Sequence, residues 1–142
     1  MRRGPLYDLQ ALYAGRLVPP PAIIELEVKR RLPAEQLKAR EAELILAALP
    51  AGATLIALDG AGASWSSRDF ADRLGGWRDG GVPVLAFAIG GADGLGRAII
   101  ERAAGALSLG RMTWPHLLAR CMLLEQLYRA QQILAGHPYH RE

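Results

Sequence analysis

Apolar residues recur along this chain with two different periods, and the period changes several times between the ends. From Pro5 to Leu17, the positions Leu6, Leu9, Tyr13 and Leu17 fall near helical spacing, which predicts a short amphipathic helix over 5–17. The run Pro19-Pro20-Pro21 ends it, since proline lacks the N–H that a further turn would need. The stretch AIIELEV then alternates, with Ile24, Leu26 and Val28 on one face and Glu25 and Glu27 on the other. That is the pattern of a half-exposed strand. Pro33 opens a run of strong helix formers, AEQLKAREAELILAAL.

Two later stretches, ATLIALD and VPVLAFAIG, are apolar on both faces and predict interior strands. Between them Ser66 and Asp69 have the spacing of a capping box, starting a helix that stops at Gly80-Gly81. GADG leads into a helix near Leu95–Ala104, ALSL predicts a short fourth strand, and after GRMTWPH comes a last helix over Leu117–Leu134. Strand and helix alternate from Ala22 onward, which predicts an α/β fold: a parallel sheet with helices on both faces, in a single domain spanning 1–142. Leu117, Leu118, Cys121, Met122, Leu123, Leu124, Leu127 and Tyr128 surround most of the last helix. One buried face cannot absorb them all. Either the helix is sandwiched within the monomer or a second subunit covers it, and a homodimer is the more economical expectation.

Composition narrows the function classes. Half of the 142 residues are apolar (51%), enough for one core. No apolar run reaches the ~18 residues of a membrane-spanning helix, and the Met1-Arg2-Arg3-Gly4 start lacks the apolar stretch of a secretory signal, so a cytoplasmic protein without a membrane partner is expected. A lone cysteine, Cys121, excludes an intrachain disulfide and a thiolate zinc cage. The net charge is +3, carried by fifteen arginines and two lysines, Lys29 and Lys38. Arginine suits bidentate contact with phosphate and stacking on bases; a GC-rich genome would produce the same bias.

Two glycine stretches, LDGAG (Leu58–Gly62) and IGGADGLG (Ile89–Gly96), follow the interior strands, where ligands of open α/β sheets bind. Neither is a dinucleotide fingerprint: Trp65 stands where the third glycine of the first would be, and the second has its glycines in the wrong order. Neither carries a phosphate-loop lysine. They suit an uncharged or zwitterionic adenosyl ligand held by backbone, or tight turns alone. In GRMTWPH, Trp114 offers a stacking face or a core side chain, and His116 suits a helix-start hydrogen bond. Cys121 sits on an apolar helix face, as an inert packing residue would. His137-x-x-His140 has metal-ligand spacing, but no further cysteine, histidine or carboxylate cluster stands near it, so no metal is expected.

LDGAG, IGGADGL, MTWPH, EQLYRA and the terminal HPYHRE follow one another in an order and spacing that resembles the ribosomal large-subunit methyltransferase H family, the pseudouridine-N3 methyltransferases of the SPOUT class. The resemblance is dense over 34–142 and weak over 4–17. It implies an α/β fold with a carboxyl-terminal trefoil knot and a homodimer. It further implies an S-adenosylmethionine cofactor and methylation of N3 of a pseudouridine in helix 69 of 23S rRNA on the assembled ribosome. Carried onto this sequence, the cofactor site comprises Leu58, Gly91, Gly110, Arg111, Met112, Thr113, Trp114 and Pro115.

Methyl transfer from a sulfonium needs positioning rather than a metal, while the imide acceptor must lose a proton. The tail then belongs to an active site, its own or a partner subunit's. His140 would deprotonate the imide or orient the base. Tyr139 would stack on or hydrogen-bond the flipped base. Arg129 and Arg141 would hold RNA phosphates or stabilise charge on the ring. The alternative is a tail that only caps the knot, with Tyr139 packed and His140 solvated. Family members also open with an apolar strand ending in Val-Gly, ahead of the stretch that here reads RRGPLYDLQALYAGRL, and that first strand is expected to be missing. The expectation is an active enzyme, with a non-catalytic ribosome- or RNA-binding relic as the alternative.

Overall fold

Three of the four stretches expected as strands form them. In a computed structural model of the chain, which describes residues 2–91 and 93–141, β1 (Ala53–Ala63), β2 (Val84–Ile89) and β3 (Gly105–Leu107) make a parallel sheet in the order β2-β1-β3. The apolar runs that predicted interior strands supply β1 and β2; the short third strand takes Ala106 and Leu107 from ALSL and leaves Ser108 and Leu109 beyond its end. AIIELEV is not a strand. Residues 22–28 lack regular structure, and Ile24 and Leu26 stand 61% and 39% exposed. Alternation reports which side chains could share a face, whereas a strand also needs a neighbour's unpaired N–H and C=O groups.

Five helices complete the described chain: α1 (Pro5–Ala14), α2 (Ala34–Ala48), α3 (Ser67–Asp79), α4 (Arg97–Arg102) and α5 (His116–Leu134). The chain divides into two compact units. One holds residues 24–64 and 81–116, with the sheet, α2 and α4. Its core joins Leu55 and Ala57 of β1, Ala88 of β2, Ala42 of α2 and Ile99 of α4. Leu55 and Ala57 are two apart and so share a face of the sheet, against which α2 packs Ile45 and Leu46 and α4 packs Ile99.

The other unit holds residues 1–23, 65–80 and 117–142. Here α5 has partners along its length. Arg120 donates to the side chain of Gln10 (2.8 Å), and the Cys121 thiol to the carbonyl of Leu6 (3.2 Å), both on α1. Ser67 at the start of α3 donates to Gln126 (2.7 Å). Gln131 accepts from the N–H of Val18 and donates to its carbonyl, holding the chain beyond α1. The capping box expected at α3 is present, with Ser66 Oγ accepting from the Asp69 N–H (3.0 Å) and Asp69 from the Ser66 N–H (3.2 Å). Cys121 is buried, and burial pushes its thiol up, as befits packing rather than reactivity.

The core and the cap make different demands on stability. Ile99→Ala, which empties a fully buried site, is expected to cost about 3 kcal/mol, and Ser66→Ala about 1 kcal/mol. Urea denaturation measures both. Equal losses would show that α4 does not close the core of the sheet unit.

Candidate cofactor loops and a carboxyl-terminal donor cluster

Parallel pairing brings the ends of β2 and β3 level with each other on either side of β1. Leu58 of β1 is in register with Ile89 of β2 on one side and Leu107 of β3 on the other. The segments that follow therefore leave the sheet side by side at its carboxyl edge, where open α/β sheets bind ligands. The sequence-predicted residues Leu58, Gly91 and Gly110–Pro115 all lie on these segments.

Each segment is held tightly by its backbone. LDGAG, expected as a loop, keeps extended backbone as far as Ala63. Both Leu58 and Ala63 pair with Leu107, so residues 59–62 fall out of register between them. A Cβ on Gly62 would lie 2.6 Å from the Ala106 backbone, which only glycine allows. After β2, a hydrogen bond from the Gly94 N–H to the Gly91 carbonyl (3.0 Å) closes a tight turn. A Cβ on Gly90 would lie 2.6 Å from Gly94 of that turn. After β3, the buried Ser108 donates its hydroxyl to the Gly110 carbonyl (3.0 Å) and accepts from the Gly110 N–H (3.1 Å).

The third segment exposes apolar surface. Met112 is 75% and Trp114 39% exposed, and the Trp114 indole donates to the Leu109 carbonyl (3.4 Å). Arg111, Thr113, Pro115 and His116 are exposed as well. Close backbone, apolar cover and no lysine on these segments fit an adenosyl group better than a triphosphate. A carboxylate the sequence did not single out stands beside them: a Cβ on Gly91 would come 3.2 Å from Oε2 of Glu41, on α2. Burial, and then Asp93, pushes the Glu41 carboxyl up. Two clefts, of about 270 and 360 Å³, are built from other residues: Val28, Leu32, Arg40 and Leu44 in one, and Trp65, Asp69, Asp72 and Arg73 in the other.

In the helical unit the terminal residues are tied to α5. Tyr139 and His140 are half-buried, and His137 and Arg141 are exposed. The Tyr139 hydroxyl donates to Oε2 of Glu125 (3.0 Å), and its ring meets Tyr128 edge-on at 4.8 Å. Arg129 donates through Nε and NH2 to the two oxygens of Glu125 (3.2 and 2.7 Å) and lies 4.9 Å over the Tyr139 ring. Its NH1 is 3.1 Å from Nδ1 of His140. Arg16 extends the stack, 5.5 Å from the Tyr128 ring and 5.7 Å from Tyr13. The structure thus joins Arg129, Tyr139 and His140 in one cluster, and Leu58, Gly91 and Gly110–Pro115 on one sheet edge. His140 is half-buried and tied to Arg129.

Glu125 organises that cluster and was missed from the sequence. Its signal was there, a carboxylate four residues before an arginine on a helix, but surface pairs share that spacing and its partners in the tail could not be read. Burial first, then hydrogen bonding with Glu125 and Tyr13, pushes the Tyr139 phenol up to about 12. A raised acid favours the neutral form in the fold. Its stabilisation is therefore complete below the unfolded value near 10 and is lost as pH rises through 12. Near-ultraviolet titration is expected to show a phenol ionising at about 12, and Tyr139→Phe to remove that late step. A late step that survives the substitution would assign it to another phenol.

Comparison with known proteins gives the family. A family model described as "Predicted SPOUT methyltransferase" matches residues 1–140. The chain is 59% identical over 140 residues to the ribosomal RNA large subunit methyltransferase H of Paramagnetospirillum magneticum, with 99% of this chain and 92% of that protein covered. The proteins of the same name from Rhodospirillum centenum and Rhodospirillum rubrum are 55% and 53% identical over the same shares. The chain belongs to the SPOUT methyltransferase family.

Proposed function

We propose that this protein is an S-adenosylmethionine-dependent methyltransferase that modifies N3 of a pseudouridine in helix 69 of 23S rRNA on the assembled ribosome. The observation that supports it most directly is the level register of Leu58, Ile89 and Leu107, which sends three ligand-compatible segments off one sheet edge. The substrate rests on the relatives, named for methylation of large-subunit ribosomal RNA. In this reading the chain works as one methyltransferase domain over 1–142 in the cytoplasm, where ribosomes are, without a metal.

S-adenosylmethionine supplies an electrophilic methyl group on a sulfonium, open to in-line displacement. Leu58 and the backbones of Gly91 and Gly110 to Pro115 would hold its adenosyl part. Met112 and Trp114 would exclude water, and positioning supplies much of the rate. The acceptor belongs to the tail cluster. Its imide nitrogen becomes nucleophilic as it loses a proton, and the negative charge that develops is stabilised by donors fixed in advance. Arg129 and His140 would provide them, Tyr139 would pack against the base, and Arg141 would contact RNA phosphate.

A homodimer is part of the proposal. Leu118, Met122, Leu127 and Tyr128 remain only half-buried on α5 within one chain, and an isologous pairing of that helix would cover them. Sedimentation at micromolar concentration is expected to give twice the chain mass, and a monomer there would reject the dimer. For the activity, mass spectrometry of 23S rRNA is expected to show methylation when unmodified ribosomes meet protein and cofactor. His140→Ala should slow it by on the order of 10²-fold, with cofactor affinity intact. Cofactor binding without any methylation by the unaltered protein would instead favour the non-catalytic relic.

A further inference from the structure

Each donor in the tail cluster has an assigned direction, and together they fix where the His140 proton sits. A guanidinium has N–H donors and no acceptor, and the hydrogen bonds that Arg129 donates to Glu125 hold it firmly charged. The 3.1 Å contact between Arg129 NH1 and His140 Nδ1 can therefore only run from arginine to histidine. Nδ1 must present its lone pair, so the ring of neutral His140 carries its proton on Nε2. A histidine set this way has spent its acceptor nitrogen on Arg129. Its other nitrogen is a donor.

What aims NH1 is Glu125. Its two oxygens take the Nε and NH2 hydrogens of Arg129 in a fork, a geometry that fixes the plane of the guanidinium as well as its place. Tyr139 adds a third hydrogen bond, to Oε2. Arg129 and Glu125 are each less than a quarter exposed, so solvent competes little for them. We propose that Glu125 is a positioning residue: by clamping Arg129 it holds His140 as an Nε2–H donor to the acceptor base, and not as the base that removes its proton. Resting on the methyltransferase reading, this makes the tail a stabiliser of the anionic imide, with the displaced N3 proton passing to water.

Nitrogen-15 spectra of the histidine rings in the intact protein test this without substrate. In the unaltered protein the two ring nitrogens of neutral His140 should differ more widely in shift than those of the exposed His137, with the proton on Nε2. Glu125→Gln should collapse the difference toward that of His137. It should also lower kcat by on the order of 10²-fold, the cost of a catalytic group misplaced by about 1 Å, at unchanged cofactor affinity. Glutamine can place an amide N–H near the Nε2 position but cannot act as a base, so His140→Gln should recover at least tenfold of the rate lost in His140→Ala. A proton found on Nδ1, a His140 spectrum indifferent to Glu125→Gln, or a glutamine no better than alanine would each overturn the proposal. The unaltered spectrum and the His140 pair decide even if Glu125→Gln does not fold. If the unaltered protein methylates no ribosomes, the functional reading fails, while the ring spectra still decide the role of Glu125.

Discussion

Pairing of β1 with both neighbours at once is the constraint on which the sheet unit depends. Side chains alternate along a strand, so a slip of one residue would turn Leu55 and Ala57 away from α2 and α4 and bring Ile56 toward them. The same slip would unseat Leu58 from its level with Ile89 and Leu107. Core packing and the alignment of the three edge segments are thus set by one register. A substitution deep in the core reaches the candidate cofactor segments through that register and through Leu95, which packs against the core.

The helical unit relies on a different kind of specificity. There the anchors are polar and directional: Gln131 on the Val18 backbone, Arg120 on Gln10, Ser67 on Gln126. Apolar packing alone would leave α5 free to rotate, because apolar residues lie around most of its circumference. Hydrogen bonds of fixed geometry select one rotation, and that rotation turns Glu125 and Arg129 toward Tyr139 and His140. Lysine could not replace Arg129, since a point charge cannot satisfy two oxygens of Glu125 and a ring nitrogen in one plane.

Local chemistry was legible in the sequence, and pairing was not. The Ser66–Asp69 capping box, the stop at Gly80-Gly81 and the last helix all depend on residues within a few positions of each other, and each was found where expected. AIIELEV failed because its alternation is as strong as a strand's, while the edge it needs is a matter of which backbone lies alongside. The edge segments were legible because glycines mark close backbone approach. Glu41 and Glu125 were not, because a carboxylate on a helix looks alike whether it faces water or a glycine turn or clamps an arginine.

The two proposed sites would also divide the chemistry in a way their residue types explain. In the proposed function, holding a cofactor at the sheet edge calls for proximity of backbone and apolar cover, which glycine, methionine and tryptophan would supply at Gly91, Met112 and Trp114. Stabilising charge on an acceptor calls for dipoles and charges that do not move when the charge appears. Arg129 cannot lose its proton under any working condition, and Tyr139 keeps its own until far above neutrality. Half-burial strengthens each hydrogen bond they make without the full cost of dehydrating an ion. A frayed terminus would have to be ordered anew by every substrate, at about 1–2 kcal/mol of backbone entropy per residue. Tying Tyr139 and His140 to α5 settles that cost during folding.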